Sequence, residues 1–135
     1  MNLLKWDESY SVKVRLIDGQ HKKLFKFANN YAEALKNGMS KASLSKLLEG
    51  LVEYANVHFS TEERYFVQFN YEDAEEHKRE HTIISAKIQE LKSKIRTGIT
   101  IEEDDVTNFL KVWLESHVKG TDKKYIECFC KNGLR

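Results

Sequence analysis

The stretch from His58 to His81 holds the densest set of chemically capable side chains in the chain. It reads His58-x-x-x-Glu62, then a turn, then His77-x-x-x-His81. On a helix, a spacing of four places two side chains on one face, one turn apart. Two metal-capable pairs therefore project from two consecutive helical segments. The remaining histidines, His21 and His117, lie on the segments to either side, so all 5 histidines fall at these places. Imidazole nitrogens and carboxylate oxygens are the donors of transition-metal sites.

Long helices must position these groups, and the absence of proline favours them. Residues 1 to 16 read as an irregular arm anchored by Trp6, with an extended alternation through Val12, Val14 and Leu16. A first helix is expected from an N-cap at Asp18 to Asn37, before Gly38, with a stripe of Ile17, His21, Leu24, Phe25, Ala28, Ala32 and Leu35. A second starts at Ser40 or Ser43 and runs to Phe69. Its stripe carries Leu44, Leu47, Leu48, Leu51, Ala55, His58, Glu62, Tyr65, Phe66 and Phe69. Gly50 inside it suggests a close helix contact. A third opens with a capping box, Asp73-x-x-Glu76, ends at Gly98, and has a stripe of Ala74, His77, His81, Ile84, Ile88, Leu91 and Ile95. A fourth opens with Thr100-x-x-Glu103 and has a stripe of Val106, Phe109, Leu110, Trp113, Leu114 and His117. Gly120 interrupts it, and a short helix from Asp122 to Cys130 follows. The expected architecture is all-α, an up-down-up-down antiparallel four-helix bundle with an irregular N-terminal arm and a short C-terminal helix. Residues 1–135 are read as one domain.

Depth in such a bundle is counted from the loops at about 1.5 Å per residue. His21 and His58 lie about equally far from the first loop, and His81 and His117 about equally far from the third. Glu62 and His81 flank the second turn at matching depth. Glu62 is the anomaly of its stripe, since a buried carboxylate needs compensation. Asp122 follows His117 by five, about 140° round a continuous helix. It turns inward only if the helix breaks, and Gly120 is the cheapest place for that. A lone histidine on an apolar face is usually an ordinary core residue, and Asp122 alone would read as a helix N-terminal acid. Five histidines on inward stripes at matched depths, with a buried glutamate, point to metal.

Five imidazoles and two carboxylates are too many for one tetrahedral zinc. They suit two adjacent ions sharing the carboxylates as bridges. Ligand type alone does not select iron, because imidazole also suits zinc, copper and nickel. The Glu-x-x-His pairs of ferritin-like di-iron proteins are absent from the ligand positions. An imidazole-rich site stabilises high-valent iron less well and favours holding dioxygen over splitting it.

The ordered set His21, His58-x-x-x-Glu62, His77-x-x-x-His81, His117-x-x-x-x-Asp122 resembles the ligand pattern of hemerythrins. The wider text is similar to bacterial members: Trp6, Ile17-Asp18-x-x-His21-Lys22-x-Leu24, Asn29, Glu62-Glu63, Glu75-Glu76-His77-Lys78-Arg79-Glu80-His81 and Trp113-Leu114-x-x-His117. It departs at Lys13, where many relatives carry glycine, and at Asn70-Tyr71-Glu72, which lacks a common proline. The resemblance implies a non-haem di-iron centre, oxo- or hydroxo-bridged, that binds O2 reversibly. His77, His81 and His117 would hold one iron and His21 and His58 the other, with Glu62 and Asp122 bridging. Trp113, Leu114 and Val118 would line a dry O2 pocket. The implied role is oxygen storage, delivery or scavenging by a protein that is not an enzyme. The alternatives are a peroxidase or nitric oxide reductase built on the same centre, or an O2-sensing or iron-handling module.

A net charge of +1 gives no pull toward nucleic acid or anionic membrane, and neither is expected as a partner. No apolar run reaches the roughly 20 residues of a membrane span. The start, MNLLKWDESY, lacks a secretory pattern. Cys128 and Cys130 read as ordinary thiols, which suits a reducing cytoplasm.

Overall fold

Four amphipathic stretches become four helices in the computed structural model, which describes residues 3–98 and 103–135. They are α1 (Arg15–Lys36), α2 (Lys41–Gln68), α3 (Ala74–Arg96) and α4 (Glu103–Ser116), followed by a short α5 (Ile126–Lys131). They form an all-α up-down-up-down bundle in which α1 packs on α2 and α4, and α2 on α3. No helix among the described residues is long and apolar enough to cross a membrane. The third interhelical loop and Thr100, first member of the expected fourth capping box, lie outside the described residues.

Helix ends follow local chemistry, with two corrections. The Ser40 hydroxyl caps α2 by accepting from the Ser43 N–H at 3.2 Å. Gly38 and Gly98 take positive φ just beyond α1 and α3, where a side chain would be strained. Asp18, however, is not the N-cap of α1. The helix starts at Arg15, and the Asp18 carboxylate turns back to accept from the Val12 N–H (2.8 Å) and the Ser11 hydroxyl (2.6 Å). An acid in the first turn suits the positive helix end, and here it also ties down the arm. The Asp73-x-x-Glu76 box does not close either. Asp73 flanks α3 without a side-chain capping bond.

The arm is anchored as expected from Trp6, which stacks on Tyr10 and meets Phe25 edge-on. Asn29 of α1 holds both the N–H and C=O of Leu4 at 2.8 Å. Val12 and Val14 are buried, whereas Leu16, grouped with them from the alternation, is 51% exposed because α1 has already begun. Gly50 does mark a close contact. A Cβ there would lie 3.3 Å from the Phe27 ring of α1.

Two apolar clusters fill the bundle. One is built on Leu24, Ala55, Phe59, Ile88, Leu110 and Leu114. The other joins the arm to α5 through Val12, Ile17, Phe66, Tyr125 and Phe129. Phe59 of the first stacks on His81 (4.0 Å between ring centres), and Phe66 of the second packs on His77 (4.8 Å). The polar site thus has greasy material on both sides.

Lys13, between the two buried valines, sits at φ 63, a conformation in which an L side chain costs about 1 kcal/mol or more. Lys13→Gly should therefore raise the thermal midpoint by a few degrees, after subtraction of glycine's extra unfolded-state entropy. Asn70→Gly, at φ 52, should change it less, since asparagine tolerates this region. Calorimetry on both variants checks the order.

Candidate metal centre

Each expected donor comes from the inward stripe of its helix: His21 from α1, His58 and Glu62 from α2, His77 and His81 from α3. His117 begins a π-helical turn, His117–Thr121, that follows α4. All seven side chains, with Asp122, are at most 4% exposed. The expected break at Gly120 takes a different form. The Asp122 N–H bonds to the His117 carbonyl, an i→i+5 bond that widens the helix instead of breaking it. That stacks Asp122 back over His117. Gly120 is not what permits it, since its φ is not positive and an added Cβ would meet nothing.

The donors converge through their Nε2 atoms. His21 and His58 lie Nε2 to Nε2 at 3.1 Å, and His77 and His117 at 3.3 Å. Glu62 Oε1 lies 3.3 Å from His58, 3.0 Å from His81 and 3.8 Å from His77. Asp122 straddles the set, with Oδ2 2.9 Å from His21 and Oδ1 2.9 Å from His77 and 3.0 Å from His117. Two groups result, each with donor atoms within 4.8 Å of one another: His21, His58, Glu62 and Asp122, and Glu62, His77, His81 and His117. Glu62 belongs to both.

Residues beyond the expected set fix which nitrogen faces inward. The Thr61 hydroxyl donates to the Val57 carbonyl, so its oxygen accepts from Gln20 Nε2 at 3.1 Å. That orients the Gln20 carbonyl oxygen toward His58 Nδ1 at 2.8 Å, where it can only accept. His58 therefore carries its proton on Nδ1 and presents a bare Nε2 lone pair. Glu63 does the same for His81 at 2.8 Å. Such outer partners orient metal-binding imidazoles. Tyr125, fully buried, donates to Glu62 Oε2 at 2.6 Å and stacks on His77. The sequence held signals for these three. Gln20 sits three after Ile17 and four before Leu24, Glu63 adjoins Glu62, and Tyr125 leads Phe129 by four.

Two bare nitrogens facing one carboxylate oxygen at 3.0 and 3.3 Å repel unless a cation or an added proton lies between them. Asp122 has the matching problem, since neither oxygen has a well-aligned hydrogen bond despite the nitrogens around it. The donor set therefore fits metal. Electrostatics agree. Burial lowers the pKa of His58 to about 4. Burial lowers His117 too, but Asp122, Glu62 and Glu80 more than reverse it, to about 9. Burial pushes Asp122 up, yet the imidazoles, His117 foremost, hold it well below the usual carboxylate range.

Trp113, Leu114 and Val118 are buried in the first apolar cluster, and Trp113 packs edge-on to Phe59. No bond or ring contact joins Leu114 or Val118 to a donor, so their link to the site is apolar packing alone.

Residues 12–129 match the family model of the hemerythrin HHE cation binding domain. The chain is 30% identical to bacteriohemerythrin of Methylococcus capsulatus over 129 residues, covering 95% of this chain and 98% of that one. It is 34% identical over 120 residues to a hemerythrin-like protein of Naegleria gruberi, covering 89% and 88%. The crystal structure of a wild-type hemerythrin superposes with a TM-score of 0.87 at 29% identity, covering 93% of this chain and 97% of that one. From its ordered donors to its whole-chain likeness to these proteins, the chain belongs to the hemerythrin family.

Proposed function

We propose that the protein binds O2 reversibly at a non-haem di-iron centre. The observation that carries this is the pair of bare imidazole nitrogens, His58 and His81, turned by Gln20 and Glu63 onto one oxygen of Glu62. His77, His81 and His117 would hold one ion and His21 and His58 the other, with Glu62 and Asp122 placed to serve both. Two ferrous ions together supply the electrons needed to hold dioxygen reversibly. The chain's own work is to bind and orient them, to exclude water, and to leave one fewer imidazole at the His21–His58 end. Leu114 and Val118, 0% and 1% exposed, keep that interior dry, which favours O2 release over irreversible oxidation.

Aerobically purified protein should contain two irons per chain by elemental analysis. Asp122→Ala should lose much of that iron, while Asp105→Ala, at an exposed position, should lose none. Like behaviour of the two variants contradicts the bridging role.

Metal must displace the proton that Asp122 favours on His117, so metal affinity should rise with pH up to about 9. In the metal-free chain the same raised pKa adds stability that is complete below about 6.5, the ordinary histidine value, and fades as pH rises through the folded value. Denaturant titrations of metal-free protein across that window should show the decline, and iron-loaded protein should not.

Carrier and enzyme separate on the diferrous protein. Spectra under cycled O2 should show uptake and release, without steady consumption of peroxide or nitric oxide when reductant is supplied. Leu114→Ala should bind iron normally but oxidise irreversibly faster, because the vacated space can admit water.

A further inference from the structure

Two clefts reach the donors from outside, and their walls differ in kind. One, of about 240 Å³, is lined by Ile83, Ile84, Val112 and Trp113 beside His117, with Ser116 and Glu80 at its polar edge, and its lining is mostly apolar. The other, of about 10 Å³, lies at the start of α3 and has the room of roughly one water. Asp73, Glu76 and Glu80 line it, with Lys124 as a cation in the same wall. Its buried wall is formed by Tyr71 and His77, 8% and 2% exposed. The Tyr71 hydroxyl and His77 Nδ1 have no hydrogen-bond partner.

A hydrated dication and a dioxygen molecule need opposite surroundings. Apolar walls strip water from a cation and return nothing, whereas carboxylates replace the lost oxygens one by one. We propose that the polar cleft is the inlet through which ferrous ion reaches the metal centre. The inference rests on the di-iron reading above. Asp73 and Glu76 are exposed and gather the ion at the mouth. Glu76 in the first turn of α3 offsets the positive helix end that would otherwise turn it away. Deeper in, the unpartnered Tyr71 oxygen takes the place of a water ligand, and His77 receives the ion through the Nε2 that it turns to the centre. Thr121, also in the wall, is the residue before Asp122, which completes the transfer. Lys124 opposes entry by its charge and keeps the inlet slow.

The charges make opposite predictions. Full-length protein freed of metal, its helicity checked by circular dichroism, is mixed anaerobically with ferrous ion, and uptake is timed against a chromophoric ferrous chelator. Glu76→Gln should slow uptake and Lys124→Gln should speed it, each on the order of threefold, and both effects should shrink in high salt. Glu75→Gln, at a residue 81% exposed and outside the cleft, should leave the rate unchanged. Where the metal-free chain does not keep its fold, iron loss from loaded protein to excess chelator replaces uptake, with the same order of variants, since one barrier governs both directions. Equal rates in wild type and the two cleft variants overturn the inlet, as does an equal slowing in Glu75→Gln. The final count of bound iron reports on the di-iron reading separately. A wild type that never binds two ions defeats that reading, whereas unchanged rates with a full count defeat only the inlet.

Discussion

Five imidazoles and two carboxylates share a dry space a few ångströms across, and the rest of the chain is arranged to make that tolerable. Buried ions separated from their partners cost several kcal/mol each. Here the compensation is mutual. Glu62 is placed among His58, His77 and His81, and Asp122 among His21, His77 and His117. Among the described residues neither carboxylate has a lysine or arginine partner. The remaining balance must come from protons or from metal. The helices serve this requirement by bringing four inward stripes to one depth, and the two apolar clusters serve it by excluding water from above and below.

That division explains what could be read from the sequence. The four stripes are periodic, so burial at Ile84, Leu91, Leu110 and the histidines follows from spacing alone. The depth match of His21 with His58 follows from their near-equal distances along the chain from the loop between them. What spacing does not carry is the path of a side chain that leaves its own helix. The Asp18 carboxylate reaches back to the arm and so looked like a cap. Asp73 and Glu76 have the letters of a capping box but no closed bond. Asp122 lies on the wrong face of an α-helix and the right face of a π turn. Nothing local announces that turn, since Gly120 is neither strained nor crowded. Tyr125 meets Glu62 across 63 residues, a pairing visible only once α5 has folded back.

Likeness over nearly the full chain establishes the family and the bundle. The tautomers set by Gln20 and Glu63 give a reason, internal to this chain, for nitrogens that demand a cation. Leu114 and Val118 belong to the core by packing.

The outer partners are unevenly shared, and this has a mechanical consequence. In the group of His21 and His58, only His58 is braced from behind, by Gln20. In the group of three histidines, His81 is braced by Glu63, while His77 has no partner at Nδ1 and His117 has only Glu80 at 3.8 Å. Each half of the proposed centre therefore has one stiff strut and at least one compliant ligand. A metal ion changes size when it changes oxidation state. If the centre held such an ion, the rings without a close Nδ1 partner would be the ones able to turn with it, while Gln20 and Glu63 would hold His58 and His81 in place.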